Sequence, residues 1–564
     1  MTQKNWLKKL TRTHIGFTIF MLALFYLIIV KPSNPINSTY STIPAVVTIL
    51  LAFATQKVIP SLLGGVFLGS LLASNYSLGH SFLHSSSLIV SQILGDLDKL
   101  SFSTLNWYHI KIILFAFALG GLIEICGING GTKGIVSFFD RFSKSKVSAQ
   151  LSAFGMGVVI FFDDYANTLI VGNTMRPIAD RMKISREKLA WIVDSTAAPV
   201  ATIAPVSTWI GFELGLFQEA MQRFDIFSKT NAYSLFLNSL PYAFYAIFSL
   251  IFILIIVLSK RDFGPMLEFE KKRQNLSDEE LYPTVNSTNH DLTSMDNQKA
   301  FILNALLPIL SVIVLTLACL YFTGSKIKGS TAFWDTVARG DSGTSLMVSS
   351  YFGCTLAILM GYFRQGTSIF KSLKTWIIGG KEMIMPTLIL LLSWSLGHIC
   401  EVLKTGVFVS SLVELHLWIG LIPILIFLVS ALIAFSTGTS WGCMTLMVPM
   451  VFSLTSLHSP ENAYLFLASL SAILGGASYG DHCSPISDTT ILSSLSCRIE
   501  HINHVKTQLP YASTVASVCV LTYLFLSITK LPVTIGLCFG ISLLMLIVFI
   551  FGKKLPQIET QISN

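Results

Sequence analysis

Residues 148–175, SAQLSAFGMGVVIFFDDYANTLIVGNTM, decide the fold. The stretch is largely apolar, yet two adjacent acids, Asp163 and Asp164, sit near its middle. Lys133, Arg141, Lys144 and Lys146 precede it, and Arg176, Arg181, Lys183, Arg186 and Lys188 follow. Lysine and arginine collect on the cytoplasmic side of membrane proteins. A single crossing would put one of these two clusters outside. A re-entrant helical hairpin, entering and leaving by one face, keeps both inside. Such a hairpin is tolerated at membrane depth only where protein or a water-filled cavity surrounds it.

Composition supports a membrane setting. Of the 564 residues, 52% are hydrophobic and only 12% charged, and the mean hydropathy is +0.67. Soluble domains carry about 25% charged residues. This chain cannot cover a water-facing surface of its size, which excludes a soluble enzyme, a nucleic-acid binder and a disordered protein. The net charge of +8 then belongs to cytoplasmic loops and calls for no nucleic acid. The nine cysteines form no C-x-x-C pair, and most lie in apolar runs, so they read as small buried hydrophobes.

Apolar runs long enough to cross a bilayer, which takes about 20 residues, lie near 13–30, 40–55, 58–75, 107–127, 187–222, 233–259, 301–322, 345–362, 382–403, 463–496, 511–530 and 533–551. Lys4, Lys8, Lys9 and Arg12 before the first run suit a signal peptide, but Lys31-Pro32-Ser33-Asn34-Pro35 beyond it offers no small-x-small cleavage site, which favours a retained helix. The stretch 420–447 reads as a second hairpin. About twelve crossings follow, in an all-α polytopic membrane protein with both termini cytoplasmic. On this topology 28 of the 38 basic residues fall inside and nine outside, with Lys111 in a helix; the bias agrees with the positive-inside rule.

The halves resemble one another. Leu119-Gly120-Gly121-Leu122-Ile123-Glu124 matches Leu396-Gly397-His398-Ile399-Cys400-Glu401 at an offset of 277. In each half a hairpin is followed by a helix interrupted at proline, Ala204-Pro205-Val206-Ser207-Thr208 and Ser484-Pro485-Ile486-Ser487-Asp488. Five crossings per half make the second half inverted, the arrangement of secondary transporters with sites at broken helices. The expected organisation is an N-terminal segment with the first helix (1–39), a first inverted repeat (40–259), a cytoplasmic loop (260–300), a second repeat (301–530), and a last helix with tail (531–564).

Ionisable groups within membranes are costly and mark function by default. Asp163 and Asp164 repel one another, and burial disfavours their charged forms, which suits holding a proton or a hard cation. Asn167 and Thr168 add neutral oxygens; alternatively, the acids cap a hairpin helix. Asp194 lies on the helix that breaks at Pro205, where freed carbonyls and the hydroxyls of Ser207 and Thr208 can coordinate a cation. Thr437, Thr439 and Ser440 occupy the second hairpin turn, which suits a neutral oxygen cage, an anion at a helix N-terminus, or close helix packing. Asp481 and Asp488 lie in the second broken helix, with His482 between them as a candidate proton relay. Glu124 and Glu401 are a repeat-related pair with gating or structural roles. Asp481-His482-Cys483 is no zinc site, because three consecutive residues cannot all face one ion on a helix. Thr132-Lys133 lacks P-loop spacing, which argues against an ATP-driven pump. An intramembrane aspartyl protease fits poorly, since Ser478-Tyr479-Gly480-Asp481 has serine where the first glycine of that motif belongs.

Four runs closely resemble the NhaC-type Na+/H+ antiporter family of the ion transporter superfamily: 162–168 (FDDYANT), 202–209 (TIAPVSTW), 436–442 (STGTSWG) and 480–490 (GDHCSPISDTT). Arg261-Asp262-Phe263-Gly264-Pro265-Met266 is also similar, and the resemblance spans about 40–550. It implies a bacterial inner-membrane transporter with scaffold and transport domains, elevator-like movement and a homodimer. Relatives in that family include sodium/proton exchangers, a malate/lactate exchanger and sodium-coupled amino-acid carriers. The expected activity is exchange of internal Na+ for external H+ by alternating access, with no enzyme activity and no resident cofactor. The other reading is Na+-coupled symport of an amino acid or small carboxylate. The expected partners are the lipid bilayer, Na+, protons and, on that second reading, an organic solute.

Overall fold

The computed structural model describes residues 3–55, 57–95, 105–224, 231–275, 301–326, 333–337, 339–405, 408, 418–454, 459–485 and 487–554. The first part of the chain forms α1 (Gln3–Val30), α2 (Ile43–Thr55), α3 (Val58–Ala73), α4 (Leu78–Leu94), α5 (Trp107–Ile128), α6 (Gly131–Asp140), α7 (Lys146–Val159), α8 (Asp164–Arg181), α9 (Arg186–Ser195), α10 (Ala198–Ile203), α11 (Thr208–Phe224), α12 (Ala232–Ser239), α13 (Phe244–Ser259) and α14 (Gly264–Asn275). After it come α15 (Leu303–Ser325), α16 (Phe333–Val337), α17 (Ser342–Gln365), α18 (Ile369–Glu382), α19 (Ile384–Val402), α20 (Ile422–Thr437), α21 (Ser440–Phe452), α22 (Ala463–Cys483), α23 (Asp488–Ser496), α24 (His501–Thr529) and α25 (Val533–Phe551).

Among the described residues, eight helices are long and apolar enough to cross a membrane. Two bent pairs raise the number to ten: 186–203 with 208–222, bent by 41°, and 232–242 with 244–259, bent by 47°. The expectation of twelve differs for physical reasons. The apolar helices α2 and α3, of 13 and 16 residues, are shorter than a full span, and the run 463–496 divides into α22 and α23 at Ser484. Conversely, Ile419–Thr437, expected as one arm of a hairpin, meets the length and hydropathy of a span. Large apolar side chains such as Ile29, Phe363 and Phe370 are more than three-quarters exposed, as lipid-facing positions of a multi-pass membrane protein are.

Two close packings position the centre of the molecule. A Cβ on Gly476 would stand 2.3 Å from the Phe427 carbonyl oxygen, and one on Gly480 2.2 Å from that of Ala431. One turn further, Ser484 Oγ donates to the Phe435 carbonyl oxygen at 2.7 Å. The three pairs share an offset of 49 residues, so α20 and α22 run parallel with their backbones nearly touching. They end together: Gly438, at φ +68°, caps α20, and Ser484 ends α22. The turn 437–439 is thereby fixed beside the break after α22.

The second packing lies at the start of α9. The segment after α13 reads as a polar loop, yet its first part is ordered. Arg261–Asp262 pairs with Lys553–Lys554 as a two-residue antiparallel ladder, and α14 packs on α9 and α24. Charges are buried here because each meets an opposite charge. Lys188 Nζ donates to Asp262 Oδ2 at 2.8 Å, and the Tyr511 hydroxyl donates to Asp262 Oδ1 at 2.8 Å. The Glu270 carboxylate accepts from Ser185 N–H and Oγ at 2.8 and 2.7 Å and pairs with Lys146 Nζ at 2.6 Å. Lys146 begins α7 and Ser185 caps α9, so α14 clamps both. Burial alone would push the Glu270 carboxyl up, but the charges of Lys188 and Lys146 hold it below the ordinary glutamate range. The stability this contributes is present above the unfolded value and is lost as pH falls through the folded one. Glu270→Ala, which leaves the lysines without their acid, should cost about 3–5 kcal/mol, read as a lower melting temperature of the purified chain at neutral pH. An unchanged melting temperature would show that this clamp contributes nothing.

Candidate ion-binding site

The break between α7 and α8 brings the first acid pair inward. Asp163 caps α8: its Oδ1 accepts from Ala166 N–H at 2.7 Å. Its Oδ2 accepts from Thr208 Oγ1 at 3.2 Å, and Thr208 N–H donates to the Phe162 carbonyl oxygen at 2.9 Å. The hairpin turn is thus stitched to the first residue of α11. Asn167 ties the same region together, for its buried amide nitrogen meets the carbonyl oxygens of Gly157, Ile160 and Thr196 at 2.6, 3.1 and 2.9 Å. The Thr168 hydroxyl is spent on the Asp164 carbonyl one turn back. The Ser207 hydroxyl donates to the Ala201 carbonyl and accepts from Ile210 N–H, which caps α11.

Asp164 begins α8 and is 2% exposed. Its Oδ1 has no hydrogen-bond partner. The charges of Asp163 and Asp481 act on it, and the Trp209 indole N–H reaches toward it without closing a hydrogen bond. Asp481, in the last turn of α22, accepts from Thr489 Oγ1 at 3.3 Å through Oδ2, while its Oδ1 is buried without a partner. Ser487 caps α23, and Asp488, the first residue of α23, accepts from the Tyr165 hydroxyl at 3.4 Å. Acids from the two ends of the sequence therefore face one another across α8, α22 and α23.

The second hairpin turn closes another side. The Trp441 ring lies 5.6 Å from that of Trp209, and Cys443 is within reach of the Asp481 charge. Thr437 donates to the Ile433 carbonyl at 2.8 Å, Thr439 is half-buried at the start of α21, and the buried Ser440 hydroxyl has no partner.

Asp194 belongs to an adjoining buried network. Its Oδ2 accepts from Gln508 Nε2 at 2.6 Å and meets His504 Nε2 at 3.2 Å, while Oδ1 has no partner. His482 bridges the Asp194 carbonyl, at 3.1 Å, and the Tyr245 hydroxyl, at 3.0 Å. The Asp194 charge also acts on Asp481, so the network backs the acid cluster. Glu124 is exposed on α5, near Glu382 and within reach of the Asp163 charge. Glu401 stands apart, with His398 of its own helix at 3.9 Å.

Sequence reasoning passed over Tyr165, Trp209, Tyr245, His504 and Gln508. His504 and Gln508 lie in a polar run that reads as a cytoplasmic loop, but α24 begins at His501 and turns both toward Asp194. Their four-residue spacing, which puts both on one helix face, was the available signal. Among the described residues no three His, Cys, Asp or Glu side chains are grouped closely enough to hold a metal.

Known proteins resemble this chain in sequence and in fold. An uncharacterised protein of Haemophilus influenzae is 33% identical over 527 residues, covering 92% of this chain and 96% of its own length. The malate-2H(+)/Na(+)-lactate antiporter of Bacillus subtilis is 30% identical over 171 residues, 29% of this chain and 33% of that protein. The crystal structure of the Alcanivorax borkumensis YdaH transporter superposes with a TM-score of 0.56 at 12% identity, over 87% of this chain and 99% of that one. Residues 200–528, which hold Asp481, Asp488 and the second hairpin turn, match the family model described as the Na+/H+ antiporter family, and the chain belongs to that family.

Proposed function

We propose that the chain is a secondary antiporter that exchanges intracellular Na+ for extracellular H+ at a site between Asp164 and Asp481, with Asp163 and Asp488 beside it. One observation carries this reading: Asp164 and Asp481, from different halves of the chain, are buried near one another, each with a carboxylate oxygen that no donor meets. An unpaired buried carboxylate is costly in a low-dielectric interior. A Na+ ion or a proton removes that cost, and the two exclude one another at a single cluster. Binding Na+ on the inner side then displaces protons, and protonation on the outer side releases Na+.

The reading includes an inverted repeat, with α7–α8 and α20–α21 as re-entrant hairpins and α9–α11 and α22–α23 as broken helices. Two parallels support it. Ser207 and Ser487 each cap the half-helix after a break with the side-chain oxygen. Asp163 and Thr439 each stand at the N-cap after a hairpin turn. Within this frame the transport domain carries both hairpins and moves elevator-fashion in a homodimer of the bacterial inner membrane, termini inside. His482 is a candidate relay, and Thr437, Thr439 and Ser440 supply neutral oxygens.

A second reading follows from the Bacillus subtilis relative, whose name couples Na+ and H+ to organic acids. In it a small carboxylate docks at the α21 N-terminus beside Ser440, where helix N–H groups favour an anion.

Full-length protein in liposomes with an internal pH dye should report proton movement on a Na+ gradient without organic solute. Proton movement that appears only when malate or lactate is added would favour the second reading. Asp164→Asn and Asp481→Asn should each weaken Na+ by about a hundredfold, the equivalent of losing roughly 3 kcal/mol, measured as the Na+ concentration for half-maximal flux. Wild-type values in either variant would remove that residue from the site.

A further inference from the structure

Glu213 lies outside the acid cluster, and its surroundings are unlike those of any other acid in the centre. It sits on α11, is 1% exposed, and both of its carboxylate oxygens are buried without a hydrogen-bond partner. Among the described residues no charged group acts on it.

Its place follows from its neighbours. Glu213 shares a helix face with Trp209 and Phe217, one turn to either side. The Trp209 ring lies 5.6 Å from that of Trp441, and the Phe217 ring 6.0 Å from that of Phe452. Trp441 and Phe452 stand at the two ends of α21, so Glu213 lies opposite its middle. There Thr445 carries another buried hydroxyl without a partner. Glu213 is five residues beyond Thr208, about 7.5 Å along the helix, and Thr208 is bonded to Asp163.

Among the described residues, few titratable groups on the elements packed against α11 are unengaged, and Asp163, at the turn bonded to Thr208, is held by that bond and by Ala166 N–H. Helices α10 and α21 carry no Asp, Glu, Lys, Arg, His or Tyr, and the one Cys of α21, Cys443, donates to the Ser430 carbonyl. On α12, the Tyr233 hydroxyl donates to the Pro205 carbonyl. On α5, Tyr108 donates to the Leu214 carbonyl, His109 pairs with Glu219, Lys111 pairs with Asp341, Cys126 is buried, and Glu124 stands near Glu382. On α19, His398 and Glu401 meet one another, and Cys400 is half-buried.

An ionised carboxylate buried in this way, with neither donor nor counter-charge, is far costlier than the neutral acid. We infer that Glu213 carries the coupled proton, neutral while the α11–α21 seam is closed and ionised when the seam opens to water. The inference rests on the Na+/H+ antiport proposed above and moves the coupled proton from the acid cluster to Glu213. On the inner side the acid O–H bond breaks and the proton passes to water as Na+ loads on Asp164 and Asp481. On the outer side the carboxylate takes a proton from water as Na+ leaves. The hydrogen bonds from Thr208 to Asp163 and to the Phe162 carbonyl join the two events, so Na+ and H+ need not share one carboxylate.

The test uses full-length protein in liposomes, with a pH dye for protons and radioactive Na+ for Na+/Na+ exchange at equal pH. Wild type should show both fluxes. Glu213→Gln, which mimics the protonated acid, should lose Na+-driven proton movement at least tenfold while Na+/Na+ exchange continues. Glu213→Asp should restore proton movement with a displaced pH profile. Wild-type proton flux in Glu213→Gln overturns the assignment, and so does loss of both fluxes in a folded variant, which marks a structural role. Absence of proton flux in the wild type overturns the antiport reading and this inference together. If Glu213→Gln does not insert, infrared spectra of Glu213→Asp decide: a displaced carbonyl band of a protonated acid supports the assignment, and an undisplaced one overturns it.

Discussion

A carboxylate oxygen removed from water must find a donor, a cation or a proton, and the centre of this molecule depends on that constraint. Several acids meet it conventionally. Asp163 is held by the Ala166 N–H and the Thr208 hydroxyl, Asp262 by Lys188 and Tyr511, and Asp180 by two bonds from Arg186. Asp164, Asp194 and Asp481 each keep one oxygen unmet. On the proposed reading, these unmet oxygens are the ones that receive a positive charge.

Helix geometry keeps these acids where they are. The glycines of α22 let its backbone lie against α20, so that the second hairpin turn and the break before α23 coincide. Asn167 gathers the carbonyls at the ends of α7 and α9 onto α8. The Tyr165 hydroxyl reaches Asp488 across the halves. A movement of the first hairpin turn together with α11 away from α23 would break the Tyr165–Asp488 bond and would change which acids face one another. That is the mechanical basis on which alternating access is proposed here.

Much of this was legible in the residues. Scarce charge gave the membrane, and the doubled Asp163-Asp164 between basic clusters pointed to a turn within apolar chain. Pro205 and Pro485 marked the interruptions. What escaped was polar sequence made acceptable by distant partners. The run from Gly264 to Asn275 reads as loop because its charges look solvated, yet Lys146, Lys188 and Ser185 bury Glu270 within a helix. His504 and Gln508 hide in a similar run because their acid, Asp194, is more than three hundred residues away. The amphipathic α18 and the serine-rich α4 are too polar to stand out as apolar runs, and the runs that hold the short α2 and α3 read as full crossings. Glu213 resembles an acid that could snorkel to an interface; only tertiary packing around Trp209 and Phe217 encloses it.

The central claim is that one cation is shared by acids of the two halves. Crystals of the full chain soaked in Tl+, a heavy stand-in for an alkali cation, would locate it by anomalous scattering. The account predicts a peak bounded by Asp164 Oδ1 and Asp481 Oδ1 that Na+ competes away and that Asp164→Asn abolishes. A Na+-displaceable peak bound elsewhere, with neither oxygen among its ligands, would contradict it.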